Sequence, residues 1–440
     1  MAKHKKSTIL LFLTVLKVSS LFAQTADSDE TSDFDELDSL FSEAEDVSEP
    51  IVSEDVSVVT NYNVTLGNLT LPLEFSGKMR AEAGLAFIKE DSESDAAGYF
   101  DFKNYLNFTS RPDKYIALKG TLKTSLPADD DDLDGQNNYL YIYELYFDYL
   151  MLDRIYLTAG KKKSVWGNIR LFSDTESYEG DDNALYTNIL SDSRDHISGI
   201  LKIPVGNHTF TGLAMYRGGT GNDSPKTKDL SLAASAEFVF MGTSLNFFGR
   251  RFPTADSEIV QTRPSLHKNT IVGAELKRTI LSFDLYGQTL GRISENEDRE
   301  LKKVFTSKFD DLTAFKSIVS TVGCYRIWNE NIPYVGFNVE FQNIYIPEPE
   351  NDEKYFTNRF ASYCGIAKLG PNKDLSIGFQ WNHNITQKTG FFQPGINVSK
   401  ILPHCDWRIG AKYEYGLNKD EKGYEKKLTV GTYLTISMDY

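Results

Sequence analysis

The stretch from Leu428 to Tyr440, LTVGTYLTISMDY, decides the fold of this 440-residue chain. Its apolar side chains recur at every second position, and small or polar residues lie between them. Because successive side chains of a strand point to opposite faces, the pattern predicts a β-strand that is apolar on one face. The apolar parity holds Leu428, Val430, Leu434, Ile436, Met438 and Tyr440, and the other parity holds Lys427, Thr429, Gly431, Thr435, Ser437 and Asp439.

The same alternation occurs along most of the chain. It is clearest from Leu71 to Ile88, where the apolar and polar parities do not change over the whole stretch. A run of that length exceeds most strands of soluble proteins. Counting such runs predicts about eighteen strands, within limits of roughly 16 to 20, in a barrel domain of residues 69–440.

The connections between the predicted strands alternate between tight turns and long polar links. Long links are predicted near 89–98, 127–137, 164–195, 218–228, 252–268, 291–316, 345–357, 384–393 and 416–425. This alternation is typical of an up-and-down antiparallel barrel, in which turns collect at one rim and loops at the other. Stacked soluble sandwiches would not sort link lengths in this way.

Residues 1–23 read as a signal peptide, with a basic start, a short apolar core and small residues before Ala23. Residues 24–68 form an acidic segment that we expect to be largely disordered. Residues 33–47 within it have helical spacing of apolar side chains. Two readings stay open here: a short amphipathic helix that docks on a periplasmic partner or on the mouth of the barrel, and a solvated linker.

Composition excludes several classes of protein. Removal of the four lysines of the signal lowers the net charge from −15 to −19, which argues against nucleic acid as a partner. No remaining stretch is long and apolar enough for a spanning helix, and the mean hydropathy of −0.37 fits alternating strands as well as a soluble protein. Cys324, Cys364 and Cys405 are too few and scattered for a disulfide framework, and we assign them no role.

Parity also selects the charged residues that face the inside of a barrel. A charge that faces lipid is costly, so the charged parity of each strand is expected to point inward. The residues predicted to line the pore are Lys78, Arg80, Glu82, Lys119, Lys123, Glu144, Asp148, Arg250, Glu275, Asp284, Glu340, Arg408, Lys412 and Glu414. Each of them is open to a second reading as a structural ion pair. On one strand, Tyr141 and Tyr143 are placed on the outer face with Leu145 and Phe147.

Two motifs resemble those of known membrane barrels. A final strand that ends in an aromatic residue resembles the closing strand of bacterial outer-membrane β-barrels, and Gly160–Asn168, GKKKSVWGN, resembles porin-type proteins, in which such a segment opens a long loop. The resemblance implies an all-β transmembrane barrel in the outer membrane. It also implies an assembly signal at Ile436, Met438 and Tyr440 that the barrel-assembly machinery recognises.

In general porins, the long third loop folds into the barrel. If residues 164–195 do the same, the constriction would include Trp166, Arg170, Asp174, Glu176 and Arg194. The other reading is an ordinary surface loop, with Trp166 at the membrane interface.

The leading functional interpretation is a channel for passive diffusion of small polar solutes. A barrel of about eighteen strands is too wide for side chains to fill and normally leaves an aqueous pore. Two alternatives stay open: a plugged barrel that carries hydrophobic compounds, similar to fatty-acid transporters, and a surface adhesin. We find no metal, phosphate-binding or nucleophile motif, and therefore expect neither a cofactor nor catalysis.

Overall fold

The computed structural model describes residues 60–66, 69–131, 136–162, 166–172, 197–216, 226–253, 270–293, 315–328, 333–347, 355–417 and 425–440. Apart from one 3₁₀ turn at Thr227–Asp229, the regular structure of these residues is entirely β. The strands are β1 Thr60–Leu66, β2 Leu69–Glu90, β3 Glu93–Ser110, β4 Ile116–Asp131, β5 Gln136–Met151, β6 Ile155–Lys161, β7 Ile197–Val205, β8 His208–Tyr216, β9 Ser231–Phe240, β10 Thr243–Arg251, β11 Ile271–Ile280, β12 Phe283–Ile293, β13 Phe315–Trp328, β14 Tyr334–Tyr345, β15 Phe356–Leu369, β16 Leu375–Asn384, β17 Thr389–Leu402, β18 Cys405–Tyr415 and β19 Lys426–Asp439.

Strands β2 to β19 form one closed cylinder. Each pairs antiparallel with the next, and β19 returns to pair with β2 from Lys427↔Glu90 to Asp439↔Lys78. Closure leaves no open sheet edge along these eighteen strands. The architecture expected from the alternation and from the resemblance to porin-type barrels is therefore confirmed: an all-β, up-and-down antiparallel barrel of eighteen strands.

Strand β1 is an addition that the sequence did not predict. It lies in the segment 24–68 and pairs with the start of β2, from Thr60↔Phe75 to Leu66↔Leu69. Tyr440 exchanges two backbone hydrogen bonds with Gly77, so β1 begins on the edge of β2 close to where β19 ends. The β1–β2 hairpin therefore continues the wall past the end of β19. The proposed helix at 33–47 and the signal peptide lie outside the described residues.

The two faces of the sheet differ in chemistry. On β14, Asn338, Glu340 and Gln342 are almost fully buried, whereas Phe341 between them is 39% exposed. The same alternation places large exposed apolar side chains on the outer face of most strands. Examples are Phe87, Phe100, Leu145, Phe147, Leu201, Phe247, Leu276, Val322, Ile377, Phe392, Trp407 and Val430. The outer face is thus apolar, and the inner face carries polar side chains together with buried apolar ones.

The ends of the strands define two rims. The turn rim carries the short links, such as residues 206–207, 241–242, 281–282 and 403–404, together with the end of β19. The loop rim carries the other nine links. Three links at the loop rim were predicted to be long, at 89–98, 127–137 and 384–393. These predictions are wrong: the links are short, because the strands on either side stay paired until a few residues before the chain reverses.

Local hydrogen bonds explain two of these shorter links. Asp91, with a φ of 45°, accepts backbone hydrogen bonds from Glu425 and Lys426 and so supports a turn of only two residues between β2 and β3. Asn384 accepts a hydrogen bond from the backbone N–H of Gln387, 3.0 Å away, and closes the β16–β17 turn. Asp and Asn side chains commonly support turns in this way.

The outward placement of Tyr141 and Tyr143 is also wrong. The β4–β5 register shifts between Thr121↔Glu144 and Leu122↔Ile142, so Tyr143 is the extra residue of a bulge. A bulge reverses the parity of the residues beyond it. Both rings therefore lie on the inner side near Lys123.

No helix in the described part of the chain has the length and apolarity to cross a membrane. Cys324, Cys364 and Cys405 are free thiols.

Candidate functional site: a segment anchored inside the barrel

Residues 166–172, called here the inward segment, lie inside the cylinder. Ile169, Leu171 and Phe172 form one buried cluster with side chains of β12, β15 and β19. These strands are not neighbours in the wall, so a cluster that joins them crosses the interior. The cluster partners from the wall are Tyr286, Ala361, Tyr363 and Tyr433.

Glu340 on β14 anchors the inward segment. Its side chain is completely buried, and its carboxylate accepts hydrogen bonds from three consecutive backbone N–H groups. The N–H of Arg170 lies 2.7 Å from Oε1, and those of Leu171 and Phe172 lie 3.0 and 3.2 Å from Oε2. Hydrogen bonds to a charged acceptor contribute about 1.5–3 kcal/mol each. A buried carboxylate is tolerated here because these donors replace the water that it loses.

The inner wall that contacts the inward segment is complementary to it in shape and hydrogen bonding. Tyr286, Gly323, Glu340 and Ala361 stand side by side in one row across β12 to β15. Gly323 has no side chain, so the Tyr286 ring lies across it and its hydroxyl donates to Glu340 Oε1 at 2.6 Å. The small residues Gly323 and Ala361 leave room, and the two polar side chains provide the hydrogen bonds.

A second anchor holds the start of the segment. The backbone and side chain of Asn168 hydrogen-bond to Glu275 of β11, which is buried. Trp166 packs against a cluster of inner-face side chains from β8 to β12. Trp166 thus lies on the inner wall, in contrast to the reading that placed it at the outer interface. Glu275 thus holds the first half of the inward segment, and Glu340 holds its last three residues.

Arg170 is the exposed residue of the anchored stretch. Its neighbours Ile169 and Leu171 are buried, and its guanidinium carbon lies 3.9 Å from the centre of the Tyr325 ring. A cation over an aromatic face is attracted to the negative charge of the ring. Arg170 therefore presents a positive charge to the interior from a fixed position.

The charged residues predicted to line the pore lie on the inner parity, and half of them form ion pairs. Four ion pairs involve them: Arg80–Glu82, Lys119–Asp148 at 3.0 Å, Lys277–Asp284 at 3.7 Å and Lys412–Glu414 at 3.5 Å. Lys78 lies near the turn rim and is exposed. Glu144 lies next to the bulge on β5 and is half-buried.

Several of the predicted lining residues are buried rather than open to the interior. Besides Glu340 and Glu275, these are Glu82, Lys123, Arg250, Arg408 and Lys412. Lys123 lies among three tyrosine rings, with its Nζ 5.6 to 5.9 Å from the centres of Tyr105, Tyr141 and Tyr143. Arg250 stacks on Phe252 and donates to Ser231. The inner wall thus combines a packed polar layer with the apolar cluster of β8 to β12, and its exposed charge is concentrated in fewer places than the sequence suggested.

The remaining predicted residues lie elsewhere. Ile436, Met438 and Tyr440 face outward, and the Tyr440 hydroxyl donates to Asn104 at 2.9 Å. Asp174, Glu176 and Arg194 lie outside the described residues. Within the described ranges, no three His, Cys, Asp or Glu side chains are placed to hold a metal ion.

Sequence reasoning missed Asn168, Tyr286 and Gly323. A local signal existed for Gly323 alone, because a glycine inside a strand often marks a place where another group approaches closely. Asn168 ends the quoted GKKKSVWGN motif, but the motif gave it no contact. Tyr286 and Gly323 lie on the neighbouring strands β12 and β13, which a long link separates in sequence. Their contact depends on the register in which the two strands pair, and the sequence does not show that register.

Substituting Gly323 tests the close packing of the wall. A Cβ at this position would overlap the Tyr286 ring, so Gly323→Ala should displace the tyrosine and break its hydrogen bond to Glu340. We expect a loss of about 1.5–3 kcal/mol, the usual contribution of a hydrogen bond to a charged group. The measurement is the unfolding midpoint in detergent. In the control Gly287→Ala, the nearest atom is 3.6 Å away, and the midpoint should stay unchanged. Equal midpoints for the two variants would contradict the predicted contact.

No protein-family model and no curated protein sequence matches the chain. Solved structures with a similar shape include the outer membrane protein OpdK of Pseudomonas aeruginosa, with 10% identity, a TM-score of 0.46 and coverage of 83% of this chain and 99% of that one. OccK3 (OpdO) of the same organism has 10% identity, a TM-score of 0.47 and coverage of 83% and 96%. OccAB4 of Acinetobacter baumannii has 10% identity, a TM-score of 0.45 and coverage of 83% and 98%. Likeness at these values carries no functional inference, and the barrel itself is established by its strand pairing.

Proposed function

We propose that this protein is a bacterial outer-membrane channel for passive diffusion of small polar solutes. The observation that supports this most is the inward segment, which crosses a closed barrel of eighteen strands. A cylinder of this width is too large for wall side chains to fill, so a segment that projects into it sets the width of the path.

The outer face supports a membrane location. It carries exposed aromatic and aliphatic side chains along most of the wall, and the charged side chains on the outer parity of the described strands lie close to strand ends. A lysine or arginine near the bilayer midplane costs about 2–4 kcal/mol, whereas the cost is about 0–1 kcal/mol near the interfaces. In this orientation the turn rim faces the periplasm and the loop rim faces outside. The outward-facing Ile436, Met438 and Tyr440 would be accessible to the barrel-assembly machinery.

The inner face favours polar over hydrophobic solutes. It carries positive and negative side chains that form ion pairs, and the inward segment exposes the guanidinium of Arg170. The described part of the N-terminal segment, residues 60–66, pairs with β2 at the turn rim instead of entering the interior. This favours a channel over a carrier plugged by that segment.

Conductance in planar bilayers tests the proposal. The refolded protein should produce stepwise ohmic openings that change little when long-chain fatty acid is added. Repeated reconstitution without conductance would reject the channel.

Deleting residues 170–190 should raise the single-channel conductance. The deletion removes the part of the inward segment that Glu340 holds inside the cylinder, and an ion path widens when material is taken out of it. Single-channel recordings of the deletion and the full chain give the comparison. If the two conductances are equal, the inward segment does not set the width of the path.

A further inference from the structure

The outer face carries one arginine held between two aromatic rings. Arg326 of β13 has the outward parity of Val322 and Trp328 and lies two residues from the end of its strand at the turn rim. Its guanidinium carbon is 4.6 Å from the centre of the Phe283 ring and 4.5 Å from that of Trp328. The two rings meet edge to face, with centroids 5.8 Å apart. This cluster is called here the Arg326 site.

The position of Arg326 is fixed before any ligand arrives. Its Nη1 donates to the backbone carbonyl of Leu281 at 2.9 Å, and the two rings limit its rotation. Arginine loses much rotamer freedom when it is immobilised, so a side chain that is already fixed binds at a lower entropic cost.

The guanidinium has donors left for an anion. It carries five N–H groups in a planar fork, and one of its nitrogens is used by Leu281. The Nε atom is buried, so the donors available to a ligand are the remaining N–H groups of the two terminal nitrogens. A donor fork of this shape matches the oxygens of a phosphate.

The surroundings indicate a lipid as the source of the phosphate. Leu281 in the adjacent turn is 85% exposed and Ile280 beside it is also exposed, so the charge lies next to apolar surface. In the membrane orientation proposed above, this is the depth of the head groups, where aromatic and basic side chains are favoured. A phospholipid offers both parts, a phosphodiester for Arg326 and a glycerol and acyl region for the apolar turn.

We propose that the Arg326 site binds the phosphodiester of a membrane phospholipid at the turn rim. This inference rests on the proposed membrane location, but its test is made in detergent micelles and does not depend on channel activity. A barrel that binds lipid without conducting would reject only the channel, and a conducting barrel without this selectivity would reject only the site.

Native mass spectrometry of the delipidated full chain, with phosphatidylglycerol added, measures the binding. We expect a retained adduct on the wild type and about tenfold weaker retention in Arg326→Gln, equivalent to one charge-assisted hydrogen bond. The control Arg251→Gln changes an exposed arginine of the same outer parity at the loop rim, and it should bind as the wild type does.

Two further arms identify the source of the phosphate. Diacylglycerol with the same acyl chains should bind weakly and without dependence on Arg326, and millimolar inorganic phosphate should not displace the phospholipid. Equal retention in Arg326→Gln would overturn the proposal, as would equal binding of diacylglycerol. Displacement by inorganic phosphate would overturn the assignment to lipid. An unchanged unfolding midpoint in Arg326→Gln shows that the variant is folded.

Discussion

Glu340→Ala should widen the proposed channel and make its conductance unsteady. The change removes the acceptor of three backbone N–H groups and of the Tyr286 hydroxyl at once. At about 1.5–3 kcal/mol for each hydrogen bond to a charge, the loss is several times the thermal energy. The docked position of the inward segment then loses its main support, and the segment moves between inner and released positions. Single-channel recordings should show a higher mean conductance with added substates.

A matched control lies on the same strand and face. Gln342 is buried one pleat away and hydrogen-bonds to Thr321 of the neighbouring strand. Gln342→Ala should leave conductance close to that of the wild type. Glu340→Gln keeps the shape but replaces one acceptor oxygen by an NH₂ group that faces backbone donors, so it should resemble Glu340→Ala. If both Glu340 variants conduct as the wild type does, the carboxylate does not hold the segment.

Arg170→Glu should shift the ion selectivity towards cations. Arg170 is exposed between the buried residues Ile169 and Leu171, so an ion that permeates the proposed channel should pass close to its charge. A unit charge 4 Å from an ion in bulk water changes the energy of that ion by about 1 kcal/mol, which changes how often the ion occupies the position by roughly fivefold. Replacing arginine by glutamate changes the charge at this position by two units. The reversal potential in a potassium chloride gradient should therefore move towards the potassium value.

Two further variants complete this experiment. Arg170→Gln removes one unit of charge and should give an intermediate shift. Lys114→Glu makes the same two-unit change at an exposed turn outside the barrel wall, and it should leave the reversal potential nearly constant. A shift from Lys114→Glu as large as that from Arg170→Glu would show that the whole electrostatic field sets selectivity. The shift from Arg170→Glu should also shrink at high salt, because mobile ions screen exposed charges.

The fold was predictable because its signal is local. Residues Leu428–Tyr440 and Leu71–Ile88 show the period of two directly, and closure follows from many such strands in antiparallel order. The inward parity of Glu340 and Glu275 followed from the same count. Parity fails where a bulge intervenes, and for that reason Tyr141 and Tyr143 were placed on the wrong face.

The site itself was less predictable, because it depends on contacts between distant parts of the chain. The backbone N–H of Arg170 meets a carboxylate 170 residues away. The sequence identified both residues but gave no reason to join them, and it did not indicate Asn168 or Tyr286. Strand β1 was missed because its seven residues lie in the segment expected to be disordered.

The long separation of the anchors also fixes the order in which the molecule assembles. The residues that hold the inward segment come from β11, β12, β14, β15 and β19, so its full set of contacts forms only after the strands from β11 to β19 have assembled. Bringing such distant residues together costs conformational entropy, and the contacts that offset this cost form only late in folding. We therefore expect the inward segment to dock late in folding, so that the proposed path narrows only after most of the wall has formed.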